Sequence, residues 1–493
     1  MLHGKSKSRE AAWRHWASVQ AGILGTTHWG GVELDGQCRI HSWFSGTGAD
    51  VEAAKLLLGA HRVQCSACDT CKPAADWFIE AHKPEHFWRE DAHRALANLA
   101  ASGDCCGSQC TAHRQGSPRC DFLRQDDCDI FIAGYPCVYN TVLRTDRWKI
   151  DPNKRPKAVE SIIAISSYLV RTPKPPRMVV LENSAGILLR GRFRHAPLGF
   201  VMYGVHGGRH VGLMYNERYR FAWTRTDSRF WLPQSRARVY IYGVLRSLDP
   251  QGDLMKIVGQ RLKNLHESQR AVPHDSQMWR DCVAADEVAW QAPCSKWRQK
   301  PMTQKACVQS RAFRLKHNLP TRTRDKGPFS LAASADFLLR FCKREEEVLN
   351  CAMHRAKQLN NGEVPASLLV EVSQSLQRSA WTWTGKARAL TCNSRLVAPV
   401  AGMEFGSASC FQLQGWEAQR LPKGALQSLT LRQLRRLCGN MMAVPCIGSV
   451  LHCLLATVPL HCGDQLVVPF WPQTEGDLCS ERAQSGAKRV RSA

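Results

Sequence analysis

Short apolar runs alternate with helical patterns along the first half of the chain. Five runs of five or six residues predict β-strands: Ile40–Phe44, Arg62–Ser66, Asp129–Ala133, Met178–Glu182 and Val239–Val244. Between them, Val51–Leu58 and Ala158–Val170 have the spacing of apolar positions that is typical of a helix packed on one face. Strands and helices that alternate in this way predict an α/β fold with a doubly wound, mostly parallel sheet.

The alternation stops after residue 245, where the chain becomes rich in Arg, Lys, Gln, Ser and Trp. A helix is expected again near the C-terminus, with Thr430 as its N-cap and Gly439 as its stop, and a second one follows from Cys446 to about Thr457. We therefore expect five segments: an N-terminal extension (1–38), a first domain (39–245), a second, smaller domain (246–395), a return to the first domain (396–465) and a disordered tail (466–493).

The charge balance suggests an anionic partner. The chain has 67 Lys and Arg against 42 Asp and Glu, a formal charge of +25, and a phosphate backbone is the commonest partner of such a surface. The residues Met1–Glu10 have no apolar core, so no secretory signal is expected, and the apolar stretch Ile447–Leu460 is too short to span a bilayer. An intracellular, reducing compartment is expected, in which the 22 cysteines are free, catalytic or metal-bound.

Four short motifs follow or precede the predicted strands. Gly46 and Gly48 lie in a turn between a strand and a helix, where the backbone can approach a ligand closely. Cys137 follows Pro136 directly after a strand, which suits a nucleophile, although a structural thiol is the commoner meaning of a single cysteine. Glu182 and Asn183 end another strand, and Gln234, Arg236 and Arg238 lead into the last one. A salt bridge is the alternative interpretation of these last two motifs.

The order of these motifs resembles that of the cytosine-5 DNA methyltransferases. The resemblance continues in Phe411-Gln412-Leu413-Gln414-Gly415-Trp416, which is similar to the family's Leu-Gln-Gly-Phe segment, and in Gly439-Asn440-Met441-Met442-Ala443-Val444-Pro445, which is similar to its Gly-Asn-Ser-Val motif. The match covers roughly residues 40–245 and 400–460. It implies a Rossmann-like domain that binds S-adenosylmethionine, with a target-recognition domain in the segment 246–395.

The resemblance also implies roles for individual residues. Cys137 would attack carbon 6 of cytosine, Glu182 would donate a proton or a hydrogen bond to ring nitrogen 3, and Arg238 and Arg236 would hold the base carbonyl or a flanking phosphate. Pro136, Asn183 and Gln234 would shape the base pocket, and the base would have to leave its stack. The residues implied for the cofactor are Phe44, Gly46, Gly48, Asp69, Asp91 and Asn440.

The chain departs from the family pattern at four positions. Val138 follows Pro-Cys where the family has Gln, Ala49 replaces the third glycine of the loop, Ala67 occupies the place of the ribose-binding acid, and Met441 replaces Ser. Two alternatives therefore stay open beside DNA methylation. One is methylation of transfer RNA with the same motifs, and the other is a catalytically weak nucleic-acid-binding relative.

Two further groups of residues suggest contacts outside the motifs. A basic segment in the second domain, with Arg311, Arg314, Arg322 and Arg324, suits the phosphate backbone of DNA, although a solvated face is the simpler interpretation. A zinc site could hold together the group Cys105–Cys128 with His113. Neither this group nor Cys65, Cys68 and Cys71 contains a clear pair of zinc-binding units, so free thiols and no metal are the expected state. Lys488–Arg491 would be a weak nuclear address if the chain is eukaryotic.

Overall fold

The computed structural model describes residues 37–89, 91–92, 96, 128–137, 156–189, 197–269, 301–319, 341–376 and 381–460. The strands within these residues are β1 (Cys38–Trp43), β2 (Val63–Cys68), β3 (His86–Trp88), β4 (Ile130–Ala133), β5 (Met178–Ser184), β6 (Val205–His206), β7 (Arg209–His210), β8 (Tyr219–Asp227), β9 (Gln234–Ser235), β10 (Ala237–Leu245), β11 (Leu369–Glu371), β12 (Trp381–Thr382), β13 (Ala387–Arg388), β14 (Leu396–Ala398) and β15 (Met403–Glu404). The helices are α1 (Ala49–Leu58), α2 (Lys72–His82), α3 (Pro156–Arg171), α4 (Pro197–Tyr203), α5 (Asp253–Gln269), α6 (Gln304–Lys316), α7 (Lys343–Leu359), α8 (Ser407–Gln412), α9 (Lys423–Ser428), α10 (Leu431–Asn440) and α11 (Val444–Leu455).

A seven-stranded sheet organises the chain up to residue 245. Its strand order is β3-β2-β1-β4-β5-β10-β8, and β10 is antiparallel to both of its neighbours whereas the other described pairs are parallel. The chain therefore reverses its direction of travel across the sheet between β1 and β4, the position where α/β folds bind ligands. The predicted doubly wound, mostly parallel, Rossmann-like fold is confirmed.

The five predicted strands are all present, with ends displaced by at most two residues. Two strands of the seven-stranded sheet were not predicted. The strand β3 has only three residues, which is too short for a periodic signal, and β8 has exposed Trp223 and Arg225 because it lies at the edge of the sheet. An edge strand buries fewer of its side chains than a central strand, so its sequence is less apolar.

Helices cover both faces of the sheet. One continuous hydrophobic cluster joins one face to α1, α2, α5 and the C-terminal helices α10 and α11, while the other joins the opposite face to α3 and α4. Trp77 stacks on Phe411 with ring centroids 4.0 Å apart and so attaches the C-terminal segment to α2. The segment 410–460 therefore packs as part of the same layered core as the first 245 residues.

A third hydrophobic cluster lies in residues 313–397. It contains Phe313, Phe341, Val348, Leu368 and Trp381, from α6, α7 and the small sheet β12-β11-β14-β15. Arg395 is buried in this region, where its guanidinium pairs with Glu345 at 2.6 Å and with Glu404 at 2.5 Å. Arg435 adds a second cation 3.5 Å from Glu404, so two guanidinium groups compensate the two carboxylates, as buried ion pairs require.

The helix α10 begins as expected and ends differently. Thr430 is its N-cap and forms a capping box with Gln433, which confirms the predicted start. Gly439 does not stop the helix, which continues to Asn440. A Cβ at Gly439 would lie 2.3 Å from the backbone nitrogen of Cys392, so this glycine permits close packing of two backbones. The segment Leu431–Leu455 is long and apolar enough for a membrane span, but it comprises two helices and is largely buried inside the protein.

Arg314 lies in the interior, not on the predicted phosphate-binding surface. Its guanidinium makes two hydrogen bonds to Glu347, at 2.8 and 3.0 Å, and Ser310 donates to the same carboxylate. Arg311, three residues earlier on α6, is exposed, whereas Arg322 and Arg324 lie outside the described residues. The prediction that Arg314 contacts phosphates is therefore wrong, because the helix turns this side chain toward α7.

We expect Arg314→Met to destabilise the protein by about 3–5 kcal/mol, because the substitution leaves the Glu347 carboxylate buried without its cation. Arg311→Met on the exposed face of the same helix is the matched control and should change the stability by less than about 0.5 kcal/mol. Urea unfolding of the full chain measures both. Equal stability of the two variants would contradict the burial of this ion pair.

Candidate active site

The motifs predicted from the sequence meet at one edge of the sheet. Cα pairing places Trp43 beside both Cys68 and Ala133, and Ala133 beside Leu181. The segments that follow β1, β2, β4 and β5 therefore leave the sheet side by side. The antiparallel β10 enters at the same edge, with Arg238 opposite Ser184.

Gly134, which directly follows β4, lies beside Glu182 of the neighbouring strand β5. A Cβ built on Gly134 would lie 3.0 Å from the Met442 Cε, 3.6 Å from the Phe44 carbonyl oxygen and 3.8 Å from the Glu182 Oε2. The absence of a side chain at Gly134 therefore leaves room between Glu182 and the C-terminal segment. Cys137 follows three residues later and is half-buried.

Glu182 and Arg238 form a salt bridge at the entrance to this edge. The Arg238 Nε lies 2.7 Å from the Glu182 Oε1, and both side chains are nine-tenths buried or nearly so, with 13% and 10% of their surfaces exposed. Such a pair is stronger than a surface pair because little water screens it. It holds the carboxyl in one orientation, with its second oxygen directed toward Gly134.

Cys137 responds electrostatically to the same residues. Burial raises the pKa of the Cys137 thiol, the Arg238 cation opposes this increase, and Glu182 adds to it. Burial also raises the pKa of Glu182, against the effect of Arg238 and then Arg236. The thiol, the carboxyl and the two guanidinium groups thus act on one another electrostatically, and the arginines favour the ionised form of the thiol.

Asn183 is oriented by the backbone around the cysteine motif. Its side-chain amide donates to the carbonyl of Tyr135 at 3.3 Å, and its Oδ1 accepts from the backbone N–H of Ser184 at 2.9 Å. Asn183 therefore connects β5 to the loop that carries Pro136 and Cys137. Gln234 is completely buried, and its amide atoms have no hydrogen-bond partner among the residues that the structure describes.

Arg236 has a different environment from Arg238. Its guanidinium is buried and donates to three carbonyl oxygens: those of Leu390 at 2.9 Å, Gly439 at 2.9 Å and Met441 at 2.7 Å. These contacts direct the guanidinium toward the C-terminal segment, so Arg236 holds that segment against the strand that carries Arg238. Burial lowers the pKa of Arg236 to about 9, followed by the effect of Arg238, and the group is still a cation at neutral pH.

The glycine loop after β1 has a left-handed backbone conformation at three positions. Phe44, Gly46 and Gly48 all have positive φ angles, of 53°, 53° and 73°. His82 donates from Nε2 to the Thr47 carbonyl at 3.1 Å, and burial lowers the pKa of His82 to about 3, so the ring is neutral. The position of a Cβ on Gly46 is open, with no atom within 4 Å. The backbone at Gly46 can therefore be approached by a ligand.

Asp69 supports this loop. Its carboxylate accepts from the backbone N–H of Gly46 at 2.9 Å and of Cys71 at 2.8 Å. Burial raises the pKa of Asp69, and these two amides oppose the increase. Ala67, at the position of the ribose-binding acid in the resembled family, is buried and apolar. Asp69 thus fixes the shape of the loop. The strand β2 contains no Asp or Glu that could take the place of the family's ribose-binding acid.

The helix α10 carries its C-terminal end toward the glycine loop. Burial raises the pKa of Asp69, and Arg436 on α10 is among the groups that oppose the increase, which places its charge near the loop. Asn440, one turn later, is exposed and accepts at Oδ1 from the Cys392 thiol at 3.0 Å. Asp91 lies exposed three residues after β3. A common cavity formed by Asn440, Asp91 and Gly46 stays a prediction.

The residues around the loop fit S-adenosylmethionine. The open space at Gly46 would admit a ligand, and the buried Thr47 hydroxyl has no hydrogen-bond partner among the described residues. The first turn of α1 also offers backbone N–H groups. Phe44, Gly46 and Thr47 would thus hold the methionine end of the cofactor.

No group of three or more His, Cys, Asp or Glu side chains within the described part of the chain could hold a metal ion. Cys65 and Cys68 belong to β2 and are buried, and burial raises the pKa of Cys65 to about 12, so this thiol is neutral. The cysteines from Cys105 to Cys120 and His113 lie outside the described residues.

Two residues of the site have no counterpart in the sequence analysis. Asp227, at the end of β8, accepts from the backbone N–H groups of Arg229 at 3.0 Å and Arg236 at 2.8 Å, and from the Ser235 hydroxyl at 3.0 Å. Asp50 is buried in the first turn of α1, and burial raises its pKa to about 6. An aspartate before Ser228 is a recognisable capping signal, whereas nothing local marks Asp50.

No protein-family model matches the sequence, and no curated protein matches it. Among solved structures, the chain is similar to the S. pombe Dnmt2 methyltransferase, with 13% identity and a TM-score of 0.41 over 85% of this chain and 98% of that one. It is also similar to the Entamoeba histolytica methyltransferase EhMeth, with 11% identity and a TM-score of 0.36 over the same shares, 85% and 98%. Similarity at this level assigns neither a reaction nor a substrate to this chain.

We expect Gly48→Ala to destabilise the protein by about 2–4 kcal/mol, because it combines a left-handed backbone with overpacking. A Cβ there would lie 2.5 Å from the His82 Nε2 and 2.6 Å from the Phe78 ring, and both side chains are buried. Gly46→Ala meets only the backbone strain and should cost about 1–2 kcal/mol. Urea unfolding of both variants measures the difference, and a larger loss for Gly46→Ala would contradict this packing.

Proposed function

We propose that this chain is a DNA cytosine-5 methyltransferase that uses S-adenosylmethionine and Cys137 as its nucleophile. The observation that carries the proposal is the Glu182–Arg238 pair, at 2.7 Å, beside a half-buried cysteine at the carboxyl edge of a Rossmann-like sheet. The ordered motifs that resemble this family of enzymes add to it. A thiol, a carboxyl with raised pKa and a cation are the three groups that such chemistry requires.

Cys137 would begin the reaction by adding to carbon 6 of the base. Carbon 5 of cytosine is a poor nucleophile, and addition at carbon 6 turns the ring into an enamine that can accept a methyl group. Arg238 and Arg236 favour the thiolate electrostatically, although burial raises the pKa of the thiol. Loss of the carbon 5 proton to solvent and departure of the thiolate then restore the aromatic ring.

Glu182 would stabilise the negative charge that the addition sends into the ring. Burial raises the pKa of its carboxyl against the effect of the arginines, which favours the protonated form that would donate a proton or a hydrogen bond to ring nitrogen 3. Arg238 keeps the carboxyl oriented through Nε, and its remaining N–H groups can reach the base carbonyl. Asn183 would hold the Tyr135–Cys137 loop against β5 while this happens.

The cofactor supplies an electrophilic methyl group when it is bound. The residues that would hold it are Phe44, Gly46 and Thr47 in the glycine loop, with Asn440 approaching from α10 and Asp91 from the end of β3. The replacement of Ser by Met441 leaves one backbone role intact, since the Met441 carbonyl accepts from Arg236 at 2.7 Å. The base must be unpaired or flipped out to reach Cys137, because a stacked base exposes neither face of carbon 6.

We expect Cys137→Ser to lower methyl transfer about a thousandfold or more, because an alcohol is a far weaker nucleophile than a thiolate. Binding of S-adenosylmethionine should stay unchanged, since the thiol contacts the base. Cys307→Ser, at an exposed position on α6, is the matched control and should retain full activity. Transfer of radioactive methyl groups and a cofactor titration measure the two effects.

An oligonucleotide with 5-fluorocytosine at the target tests the covalent step directly. Fluorine at carbon 5 cannot leave as a proton does, so the enzyme–base adduct should persist and migrate as a heavier band under denaturing conditions. The adduct should form with the parent protein and with Cys307→Ser, and not with Cys137→Ser. Undiminished transfer by Cys137→Ser would overturn the mechanism.

The polymer is tested by comparing duplex DNA with transfer RNA as methyl acceptors. The proposal expects faster methylation of cytosine in duplex DNA, measured as kcat/KM for each at the same ionic strength. Faster transfer to transfer RNA would replace the DNA assignment while leaving the chemistry at Cys137 unchanged. No transfer to either polymer, together with cofactor binding, would favour a catalytically weak relative.

A further inference from the structure

A short loop of the second region is attached to the strand that leads into the catalytic arginines. The loop spans β12 and β13, residues 381–388, and we call it the Trp383 loop. Its strand β13 pairs in parallel with β9, with Ala387 opposite Gln234 and Arg388 opposite Ser235. The backbone N–H of Ala387 also donates to the Pro233 carbonyl at 2.6 Å. Arg236 follows β9 directly, so the strand that pairs with this loop leads straight into the arginines of the site.

The other end of the Trp383 loop is anchored in the third hydrophobic cluster. Trp381 is buried and packs edge-on against Phe313, with ring centroids 5.3 Å apart. The Ser367 hydroxyl donates to the Trp383 carbonyl at 2.5 Å, and Gly385 turns the chain with a φ of 69°. Between these attached ends, the residue Trp383 has 41% of its surface exposed. The loop thus holds a large, partly exposed aromatic residue between two attached ends.

Positive side chains surround this indole-bearing loop. Lys386 is half-buried within it and Arg388 is exposed. Arg229, from the segment after β8, is 56% exposed on its side chain and acts on Lys386 electrostatically, as does Asp227 with the opposite sign. Asp227 accepts three hydrogen bonds from its own segment, from Arg229, Ser235 and Arg236, and its Oδ2 also lies 3.7 Å from the Arg229 Nε. Three cations against one engaged carboxylate leave a net positive surface beside β9.

We propose that the Trp383 loop, together with Arg229, binds the nucleic-acid segment next to the target base. Trp383 stacks on an unpaired base, and Lys386, Arg388 and Arg229 contact the phosphates on either side of it. An exposed indole among cations is the combination that binds single-stranded nucleic acid, since every base offers a flat face and every nucleotide a negative charge. The proposal rests on the proposed function, because a flipped-out base leaves unpaired neighbours or an unpaired partner base.

The charge of this surface, and its continuity with β9, favour it over the face that the sequence alone indicated. On α6 the predicted Arg314 is buried against Glu347, so that face has one cation fewer than expected. The Trp383 loop combines an aromatic ring with cations and leads along the chain into Arg236 and Arg238. A substrate strand bound there would enter the pocket beside the arginine pair.

The test is binding of a fluorescein-labelled single-stranded oligonucleotide to the full chain, followed by anisotropy at several salt concentrations. Trp383→Ala should weaken binding about tenfold at every salt concentration, because stacking is not ionic. Trp383→Phe should restore most of the affinity. Trp223→Ala removes an indole with 45% of its surface exposed on the edge strand β8, and this control should bind like the parent.

The charge contacts are tested with the double variant Lys386→Gln and Arg229→Gln. The slope of log affinity against log salt should become shallower by about 1.4, because each phosphate contact on a single strand contributes about 0.7. The control is the pair Lys263→Gln and Lys305→Gln, at exposed positions on α5 and α6, which removes the same charge and should leave the slope unchanged. Thermal unfolding of all variants verifies that each is folded.

The outcomes separate this inference from the proposed function. If Trp383→Ala and the double variant bind like the parent, the Trp383 loop is not the contact surface, whatever the parent does with 5-fluorocytosine. If both variants bind weakly and the parent forms no adduct with 5-fluorocytosine, the loop binds nucleic acid but the proposed methylation is wrong. Equal loss of affinity in Trp383→Ala and Trp223→Ala would also overturn the inference, because it would indicate that any exposed indole contributes.

Discussion

The buried guanidinium of Arg236 joins the two distant parts of the chain on which the site depends. It donates to the carbonyls of Gly439 and Met441, at the end of α10, and to that of Leu390. The last carbonyls of a helix have no partner inside it and carry its negative dipole, so a cation is the group that stabilises them best. Without this contact, the carbonyl groups at the end of α10 would be left without a hydrogen-bond donor next to the start of β10.

This contact has consequences on both of its sides. On the strand side it holds the start of β10, where Arg238 meets Glu182 two residues later. On the helix side it fixes the turn after α10, so that Met442 reaches the space above Gly134 and Asn440 stays at the surface. The side chain of Arg236 therefore determines the positions of both Met442 and Asn440. The arrangement places two guanidinium groups two residues apart in the chain. Glu182 partly compensates their charge, and both cations favour an anionic thiol nearby.

The second region is joined to the pocket in a similar way, through the backbone. The strand β13 pairs with β9, and Leu390, just beyond β13, supplies one of the carbonyls that Arg236 binds. The cluster around Phe313 and Trp381 supports the other end of the Trp383 loop. A region whose sequence lacks the regular alternation of the first half is therefore held against the site by two short contacts. Because backbone pairing requires no particular side chains, such contacts leave little trace in a sequence.

The sequence by itself determined the local features: five strands of the sheet, the cap at Thr430 and the positions of Cys137 and Glu182 at strand ends. These follow from periodicity and from residues near one another in the chain, and parallel strands bring their ends together without further information. Only the tertiary structure decided where Arg236 and Arg314 point, why Gly439 is a glycine and that Asp69 supports a loop. Each of these depends on a contact with atoms 23 to 205 residues away in the chain, in segments whose packing no local pattern specifies.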